Sequence, residues 1–300
     1  MNLYFKNIVK YVVYVSVVHA GSTYAAVESI CPGGTQADSN VIFCESFEDP
    51  DYQSRYYDFD DDNGEFVSTS NEAKHGQSSL RAKWQLNEVE AGAFQLHFGK
   101  HPLGSNIQPA ADYREIYWRF YTKYPAGFVD YPNKLSRLTI MAGTGWQQAM
   151  IAHVWTEATD KSYLYIDPVS GVKNDVLVTT KWNDFANFTW LGSKKSTAPV
   201  TKGDWVCVES RVKLNDSGVA NGAFELYINN QLTASKSNID WVGAWSTYAL
   251  NTLQFSNYWN GAGSPADNQM RYLDAIVVSK ARIGCIGDVV PLAPQNLSAF

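Results

Sequence analysis

Apolar and polar residues alternate along most of the chain from Val41 onward, in short runs separated by Gly, Asn, Asp and Pro. This pattern is typical of β-strands with one buried face, and a sustained helical period is almost absent. The pattern predicts eleven strands, with the sequences VIFCESF, SSLRAKWQL, GAFQLHF, EIYWRFYTKY, LSRLTIMAG, QAMIAHVWTE, SYLYIDP, DWVCVESRVKL, GAFELYINNQL, LNTLQFSNYW and MRYLDAIVVS. Such a series suits an all-β, two-sheet sandwich or jelly roll, whose inner faces hold the alternating apolar residues.

A tight hairpin is predicted at YINNQL, because Asn229 and Asn230 both tolerate the positive φ that a two-residue turn requires. A second hairpin, closed by the turn TEATDK, is expected to pair His153 with Tyr163, and Tyr165 with the residue two before His153. Since side chains alternate with period two, His153 and both tyrosines would then share one face of the sheet.

The two ends of the chain differ from the strand-rich region between them. Residues 1–26 combine two lysines, a short apolar stretch and two closing alanines, as a secretory signal peptide does. No stretch reaches the roughly 20 apolar residues of a membrane-spanning helix. We therefore expect a secreted chain, extracellular or periplasmic, with a signal peptide at 1–26, one jelly-roll domain at 27–287, and a linker or truncated tail at 288–300.

The cysteines fit an exported domain. Three hundred residues with 45% hydrophobic content can bury a substantial core in one domain. An oxidising compartment favours disulfides over metal thiolates, and the cysteine spacings match no zinc motif. Four cysteines allow three pairings, of which Cys31–Cys44 with Cys207–Cys285 is favoured because each bond would secure one chain end.

The charge limits the classes of partner. The net charge is −6, and removal of Lys6 and Lys10 with the signal peptide would make it −8. An acidic chain argues against nucleic acid as the main partner. An acidic polysaccharide needs only a local cluster of cations. We expect such a polysaccharide as the partner of a monomer, with no membrane contact after signal removal.

Aromatic residues are abundant enough to supply sugar-binding surfaces. Ten Trp and eighteen Tyr offer flat apolar faces on which sugar rings stack. The segment SNYWNG concentrates them, which makes Tyr258 and Trp259 candidate substrate-binding residues. Since many aromatic rings must fill the core, composition permits sugar binding and does not require it.

Several segments resemble the concanavalin A-like jelly-roll polysaccharide lyases, above all the alginate- and glucuronan-cleaving type and their lyase-like relatives. The segments lie between about residues 41 and 284: FCESFED, KHGQSSLRAKW, YWRFYTKYPAGF followed by NKLSRL, GDWVCVESRVKLN with GAFELYINNQLTASKSNIDW, and LQFSNYWNGAG with NQMRYLDAIVVS. The resemblance implies a concanavalin A-like fold and a carbon–oxygen lyase activity on a uronic-acid-containing polysaccharide.

The resemblance also implies a set of catalytic positions. In these lyases a lysine lies in a KLPGL-like segment, a later strand carries Ser-x-Arg, and the next strand carries Tyr-x-Tyr. Here KLSRL supplies Lys134, and YLY supplies Tyr163 and Tyr165, in the same order. The Ser-x-Arg position falls on residues 151–153, so His153 replaces the arginine and an apolar residue replaces the serine.

β-Elimination gives these residues distinct roles. The reaction removes the C5 proton of a uronate, neutralises its carboxylate and delivers a proton to the departing oxygen. A tyrosine beside a cation can transfer protons. We therefore predict Tyr163 or Tyr165 as base and acid, His153 as an alternative base, and Lys134 as the group that neutralises the carboxylate.

Other polar residues are candidates for substrate binding. Gln95 and His97 share one face of the strand GAFQLHF, and other jelly-roll lyases use a similar Gln-x-His pair to bind a carboxylate and remove a proton. Arg137 lies in the same KLSRL segment as Lys134. Arg119 and Tyr121 alternate on another strand and could form a cationic groove.

A structural calcium ion is the expected metal. Jelly rolls of this type often hold Ca²⁺ between the first strand, an HG turn and the last strand. The matching positions here are Glu48, Glu72, His75 and Asp274, which offer oxygen ligands. The ion would tie the chain ends together away from the substrate, and we expect no organic cofactor.

Each of these residues also has an ordinary structural interpretation. Tyr-x-Tyr is common on pleated surfaces, a lone histidine is usually a hydrogen-bonded strand residue, and alternating charges usually mark a solvated face. A non-catalytic carbohydrate-binding module is therefore the alternative function. A retaining glycoside hydrolase is less favoured, because no strand carries the Glu-x-Asp-x-x-Glu pattern of the laminarinase type.

Overall fold

The computed structural model describes residues 39–287, which fold as β-strands with two short 3₁₀ helices, Tyr52–Arg55 and Asp62–Gly64. The first nine strands are β1 (Val41–Glu45), β2 (Asp58–Asp60), β3 (Phe66–Thr69), β4 (Ser79–Trp84), β5 (Glu90–His97), β6 (Glu115–Lys123), β7 (Lys134–Met141), β8 (Gln148–Thr156) and β9 (Tyr163–Ser170). The other nine are β10 (Val172–Lys173), β11 (Val176–Leu177), β12 (Thr189–Trp190), β13 (Lys194–Pro199), β14 (Trp205–Lys213), β15 (Gly222–Ile228), β16 (Gln231–Ile239), β17 (Thr252–Tyr258) and β18 (Gln269–Ser279). The described part of the chain contains no helix that is long and apolar enough to cross a membrane.

Two large antiparallel sheets make up the fold. In the first sheet the order is β16, β15, β14, β6, β18, β4, β3, and β1 pairs with the remaining edge of the long strand β18. In the second sheet the order is β12, β9, β8, β7, β17, β5, β2, and β13 also pairs with β9. Strands β10 and β11 form a separate two-stranded ribbon. The prediction of an all-β, two-sheet jelly roll is confirmed.

The core lies between the two sheets and follows from the period-two pattern. Alternate residues of each strand point inward, so Phe120 of β6 meets Phe255 of β17 with ring centroids 4.8 Å apart. Leu138 of β7 and Leu253 of β17 are fully buried in the same cluster. Because the inward positions are used for the core, the intervening residues of the second sheet are left on its outer face, the face turned away from the first sheet.

All eleven predicted strands are present, with ends that differ by a few residues. The strands that alternation did not predict are β2, β3, β10 to β13 and β16, of which β16 was implied only by the predicted hairpin at YINNQL. They lie at sheet edges or in the small ribbon. A short edge strand packs little apolar surface, so its sequence has no need of strict alternation. The Asn229–Asn230 turn is confirmed: both residues have positive φ, and the flanking residues pair across it.

The register of the β8–β9 hairpin differs from the prediction. His153 pairs with Asp167, and Tyr165 pairs with Trp155. The turn is centred two residues later in the chain than expected, and the amide of Glu157 donates to the carbonyl of Tyr163 beside it. This correction changes the neighbours of each residue but keeps the side chains on the predicted face, since the shift is an even number of positions.

The predicted Cys207–Cys285 disulfide is present. It fastens the segment after β18 to β14 of the first sheet. Cys44 is also disulfide-bonded. Its predicted partner Cys31, the signal peptide and the tail at 288–300 lie outside the described residues.

Replacing both Cys207 and Cys285 with serine is expected to lower the free energy of unfolding by about 4 kcal/mol. The bond joins residues 78 apart, and cross-linking so long a loop removes much conformational entropy from the unfolded chain. Urea unfolding of the variant and the unaltered protein measures the difference. A loss below about 1 kcal/mol would show that this tether adds little to stability.

Candidate functional site

Two rows of side chains cross the outer face of the second sheet. In the first row, register places Gln95, Gln254, Arg137, His153 and Asp167 side by side on β5, β17, β7, β8 and β9. All five are buried although they belong to an outer face. Other parts of the chain therefore cover this row, and its polar groups lie in a partly dehydrated environment.

The second row crosses the same face of the sheet, two to four residues away along each shared strand. It contains Tyr258, Lys134, Trp155, Tyr165 and Lys195, on β17, β7, β8, β9 and β13. Trp155 separates Lys134 from Tyr165, so two strand spacings of about 4.8 Å each lie between their backbones. The register thus brings an amine, an indole and a phenol into one line across the strands.

A cleft opens where the two rows meet at β7. It has roughly 570 Å³ of free space, and we call it the β7 cleft. It is lined by Asp60, Glu90, Gly92, Ala93, Lys134, Arg137, Trp182, Asn183, Gln254, Ser256, Asn257 and Tyr258. The cleft is open to solvent and can admit a sugar unit, and its walls mix cations, amides and aromatic rings in the manner of a ligand site.

Lys134 is a half-buried amine at the centre of this cleft. Its Nζ lies 3.9 Å from the centroid of the Tyr258 ring. Burial, with a smaller contribution from the charge of Arg137, lowers the pKa of Lys134 to about 8, and Glu90 acts in the opposite direction. No carboxylate in the described part of the chain forms an ion pair with it, so a sizeable fraction is a neutral amine at mildly alkaline pH.

Arg137 is a buried cation held by neutral groups. Its Nε donates to Oε1 of Gln254 at 2.5 Å, and its Nη1 donates to Oδ1 of Asn183 at 2.7 Å. The guanidinium carbon lies 4.2 Å from the centroid of the Trp182 ring. Among residues 39–287 no carboxylate pairs with Arg137, although the side chain is only 7% exposed. Burial lowers the pKa of Arg137, to about 9, which leaves it charged at neutral pH.

His153 stands in the first row but is sealed from the cleft. Its ring lies 4.0 Å from that of Trp155 and 6.2 Å from those of Phe185 and Trp190, and the residue has no exposed surface. Nδ1 lies 3.0 Å from the carbonyl oxygen of Asp167, while Nε2 has no partner among the described residues. Burial, followed by the charge of Arg137, holds the pKa of His153 well below its usual range. The imidazole is neutral and out of reach of a ligand in the cleft.

Tyr163 and Tyr165 are half-buried on the same outer face, as expected. The Nζ of Lys195 lies 4.3 Å from the centroid of the Tyr163 ring. The ring of Tyr165 meets that of Trp155 edge-on at 6.3 Å. Burial raises the pKa of Tyr165 to about 12, and the carboxylates of Asp167 and Glu157 add to the shift. Its phenol therefore keeps its proton and is better suited to donate one than to remove one.

The other substrate-binding candidates lie in three different places. Gln95 and His97 lie on the outer face of the second sheet, at the β5 end of the rows. Arg119 and Tyr121 lie on the outer face of the first sheet, where Arg119 is 1% exposed, so the sandwich separates them from the cleft. Trp259 is buried against the rings of Trp84 and Phe128 and has no face available to a ligand.

The calcium candidates surround one turn without forming a cation site. Oε1 of Glu48 accepts the amides of residues 77 and 78, and Oδ2 of Asp274 accepts those of Lys74 and His75. Glu72 pairs with a lysine. Within residues 39–287, no three His, Cys, Asp or Glu side chains are grouped as a metal would require. As placed, these residues do not fit a calcium site, so the ion stays a prediction. The carboxylates of Glu48 and Asp274 instead join the turn to the segment after β1 and to β18.

Three residues that hold Arg137 in the cleft were not predicted from the sequence. Gln254 lies in a predicted strand, but nothing in its local pattern distinguishes it from a surface glutamine. Trp182 and Asn183 belong to the loop segment KWND and reach Arg137 across 45 or more residues of chain. Predicting these contacts would have required knowledge of the strand order, because it is the strand order that places β17 beside β7.

Comparison with known proteins matches part of the chain to a family. Residues 154–272, from β8 to β18, match the polysaccharide lyase 14 family. This stretch includes Tyr163 and Tyr165 and begins after Lys134. No curated protein matches the sequence.

Solved structures of similar fold cover most of the chain. An endo-β-1,4-glucuronan lyase from the fungus Trichoderma reesei has a TM-score of 0.57 at 12% identity, over 80% of this chain and 96% of its own. A PL-14 alginate lyase from Aplysia kurodai has a TM-score of 0.56 at 9% identity, over 80% and 99%. The alginate lyase vAL-1 from a Chlorella virus has a TM-score of 0.52 at 13% identity, over 75% and 100%. The comparisons confirm the predicted resemblance to the jelly-roll polysaccharide lyases and support the prediction that the chain is an enzyme of that class.

Proposed function

We propose that this protein is a secreted polysaccharide lyase that cleaves a uronic-acid-containing polysaccharide by β-elimination in the β7 cleft. The observation that carries the proposal is the buried guanidinium of Arg137 beside the half-buried amine of Lys134; both line an open cleft, and neither pairs with a carboxylate of the described residues. A buried charge is costly unless it is paired, so such a site is prepared for an anionic ligand. The glucuronan and alginate lyases of similar fold act on polymers whose units each carry a carboxylate.

Arg137 is the group we assign to the substrate carboxylate. Its hydrogen bonds to Gln254 and Asn183 and its stacking on Trp182 fix the plane of the guanidinium. A fixed guanidinium binds a carboxylate with defined geometry. When the guanidinium neutralises that carboxylate, the carbanion that forms at C5 is stabilised. This assignment transfers to Arg137 the neutralising role predicted for Lys134.

Lys134 is then the base. As a neutral amine, its Nζ accepts the C5 proton; the electron pair left on C5 forms the C4–C5 double bond, and the C4–O bond breaks. Its lowered pKa favours this role, because a base works best when its pKa lies near the working pH. The neighbouring cation Arg137 helps to keep the amine unprotonated.

Tyr165 is the group we assign as the acid. The oxygen that leaves C4 takes a proton, and Tyr165, whose pKa is raised, carries its phenolic proton over the whole physiological range. It lies in the same row as Lys134, with Trp155 between them as a flat surface for a sugar ring. Tyr163, beside Lys195, is the alternative acid.

An extracellular or periplasmic location completes the proposal. The Cys207–Cys285 disulfide fits an oxidising compartment, and polysaccharide substrates lie outside the cell. The lysine-rich, apolar start of the sequence fits export as well.

The test is ultraviolet absorbance during incubation with alginate, glucuronan and related polyuronates. Each cleavage creates a C4–C5 double bond conjugated to the carboxylate, so absorbance is expected to rise with time. Reducing ends that form without this absorbance would indicate hydrolysis. Binding without either signal, across the whole panel, would indicate a non-catalytic carbohydrate-binding module.

The pH dependence of kcat/KM distinguishes the two roles considered for Lys134. If the neutral amine is the base, kcat/KM rises with pH and levels off above a pKa of about 8, since about a tenth of the amine is neutral at pH 7 and about nine-tenths at pH 9. If the charged form were needed to neutralise the carboxylate, kcat/KM would instead fall through the same range. Initial rates between pH 6 and 9.5 at constant ionic strength give the sign.

A further inference from the structure

A second cavity opens on the outer face of the second sheet, beside the end of β5. It has roughly 590 Å³ of free space and is lined by residues 54–57, His97 and residues 103–107. Along β5, Glu90 and Ala93 line the β7 cleft, His97 lines this second cavity, and Gln95 lies between them on the same face. We call it the His97 cavity. The two cavities thus share one strand.

Two buried hydrogen-bond acceptors without described partners lie on β5: one belongs to His97, which lines the cavity, and the other to Gln95, two residues away on the same face of the strand. Nδ1 of His97 lies 3.3 Å from the carbonyl oxygen of Gly104, which can only accept, so Nδ1 carries the proton and Nε2 presents a lone pair. Neither Nε2 of His97 nor Oε1 of Gln95 has a partner in the described part of the chain. Both side chains are more than nine-tenths buried. Such acceptors require a donor, and a sugar hydroxyl is one.

A stack of rings holds His97 in place and offers a surface to a ligand. The ring of Tyr57 lies 3.8 Å from that of His97, and the ring of His101 lies 3.7 Å away on the opposite face. Burial lowers the pKa of His97 to about 4, so the imidazole is neutral. Tyr57 is 47% exposed, which leaves an aromatic surface on which a sugar ring can stack.

Aromatic side chains connect the His97 cavity with the β7 cleft. The ring of Tyr57 meets that of Trp146 at 6.1 Å, and Trp146 meets Trp182 at 5.8 Å. The ring of Trp182 in turn stacks against the guanidinium of Arg137. A chain of sugar units can therefore follow a continuous series of rings from one cavity to the other.

The charges around the His97 cavity do not favour a carboxylate. Arg55, which lines it, is already paired with the buried carboxylate of Glu45 at 2.9 Å. On the side towards the cleft the charged groups are acidic: Asp58 stands opposite Gln95, and Asp60 and Glu90 line the nearer wall of the β7 cleft. A second uronate placed here would meet acceptors and anions rather than a free cation.

We propose that the His97 cavity is a second sugar subsite that binds an uncharged sugar unit through its hydroxyl groups, next to a uronate held in the β7 cleft. The preferred substrate is then a chain in which uronates adjoin neutral sugars, not a uniform polyuronate. This inference rests on the proposed function of the β7 cleft and adds the identity of the neighbouring unit.

The experiment compares each polyuronate with its own partially carboxyl-reduced form. Reduction converts some uronates of alginate or glucuronan to the corresponding neutral sugar and leaves linkage and ring configuration unchanged. Oligomers of equal length from each form are titrated by tryptophan fluorescence, and elimination is followed by absorbance per remaining uronate. We expect the mixed oligomers to bind about 3- to 10-fold more tightly, the gain of one or two hydrogen bonds. The mixed polymers should also be cleaved faster per uronate.

Two variants test whether the preference for mixed oligomers arises from the His97 cavity. His97→Phe keeps a ring between Tyr57 and His101 but removes the acceptor, and Tyr57→Ala removes the stacking surface. Each is expected to abolish the preference for mixed oligomers, so that mixed and uniform oligomers bind the variant with affinities within about twofold of each other. Leu232→Ala, at an exposed position on β16 of the first sheet, is the control and should keep the preference.

The results separate failure of this inference from failure of the proposed function. Uniform oligomers that bind at least as well as mixed ones, or a preference that survives both variants, would overturn the subsite while elimination in the β7 cleft stands. The binding arm needs no catalysis. If no polymer shows elimination, a preference that depends on His97 and Tyr57 still supports the subsite, and the lyase proposal alone fails.

Discussion

Replacing Lys134 with methionine is expected to lower kcat/KM for β-elimination by about 10³-fold, which corresponds to about 4 kcal/mol of transition-state stabilisation. Methionine keeps the length and the apolar stem of the side chain and removes the amine that takes the C5 proton. Folding should not suffer, because the lost charge is half-buried and forms no ion pair with a described carboxylate. Progress curves at pH 9 on the best polyuronate, with thermal unfolding of both proteins, measure the two effects.

Two further substitutions test whether the loss of activity is specific to the amine of Lys134. Lys134→Arg keeps a positive charge but cannot act as a base, so it should be nearly as inactive as the methionine variant. Lys123→Met removes an equivalent side chain on the first sheet, where it is paired with Glu72 at 2.8 Å, and should leave kcat/KM unchanged. Substantial activity in Lys134→Arg would show that residue 134 neutralises the substrate carboxylate, as the sequence predicted. Another residue would then have to be the base.

Much of this arrangement could be predicted from the sequence because strands impose a period of two. Alternation alone indicates that Tyr163 and Tyr165 share a face, and an apolar core between two sheets leaves them and Lys134 on the outside. The same rule explains why the edge strands escaped prediction. Edge positions have little apolar surface to bury, and their sequences carry no alternation.

The register and the covering loop could not be predicted in this way. An even shift of the β8–β9 hairpin preserves every side-chain face, so alternation is compatible with both registers, and the bond that decides between them lies in the turn at Glu157. The loop that contains Trp182, Asn183 and Phe185 reaches Arg137 and His153 through contacts with no local pattern. Because of that loop, His153 is buried and cannot reach a ligand as a base. The same loop fixes the guanidinium of Arg137 in the cleft.

Replacing Arg137 with methionine is expected to lower kcat/KM on polyuronates by about 10²-fold or more, the usual loss when a fixed group that stabilises developing charge is removed. The loss should appear in kcat as well as in KM, since the carbanion at C5 gains more from neutralisation of the carboxylate than the ground state does. Steady-state kinetics over a wide range of substrate concentration separate the two constants. Arg137→Lys keeps charge without the planar fork held by Gln254 and Asn183, and should recover part of the loss in KM and little of that in kcat.

Methyl esterification of the substrate tests the assignment of Arg137 directly. An esterified uronate carries no charge for Arg137 to neutralise, so the ratio of kcat/KM between the unaltered protein and Arg137→Met should shrink from about 10²-fold to within about threefold on the esterified polymer. A residue that merely supports the fold would give the same ratio on both polymers, because its loss would damage the cleft whatever the substrate. Lys134→Met should remain inactive on both polymers, since proton removal from C5 is required in either case. An unchanged ratio for Arg137→Met would show that the buried guanidinium does not neutralise the substrate carboxylate. Arg137 would then have only a structural role beneath the cleft.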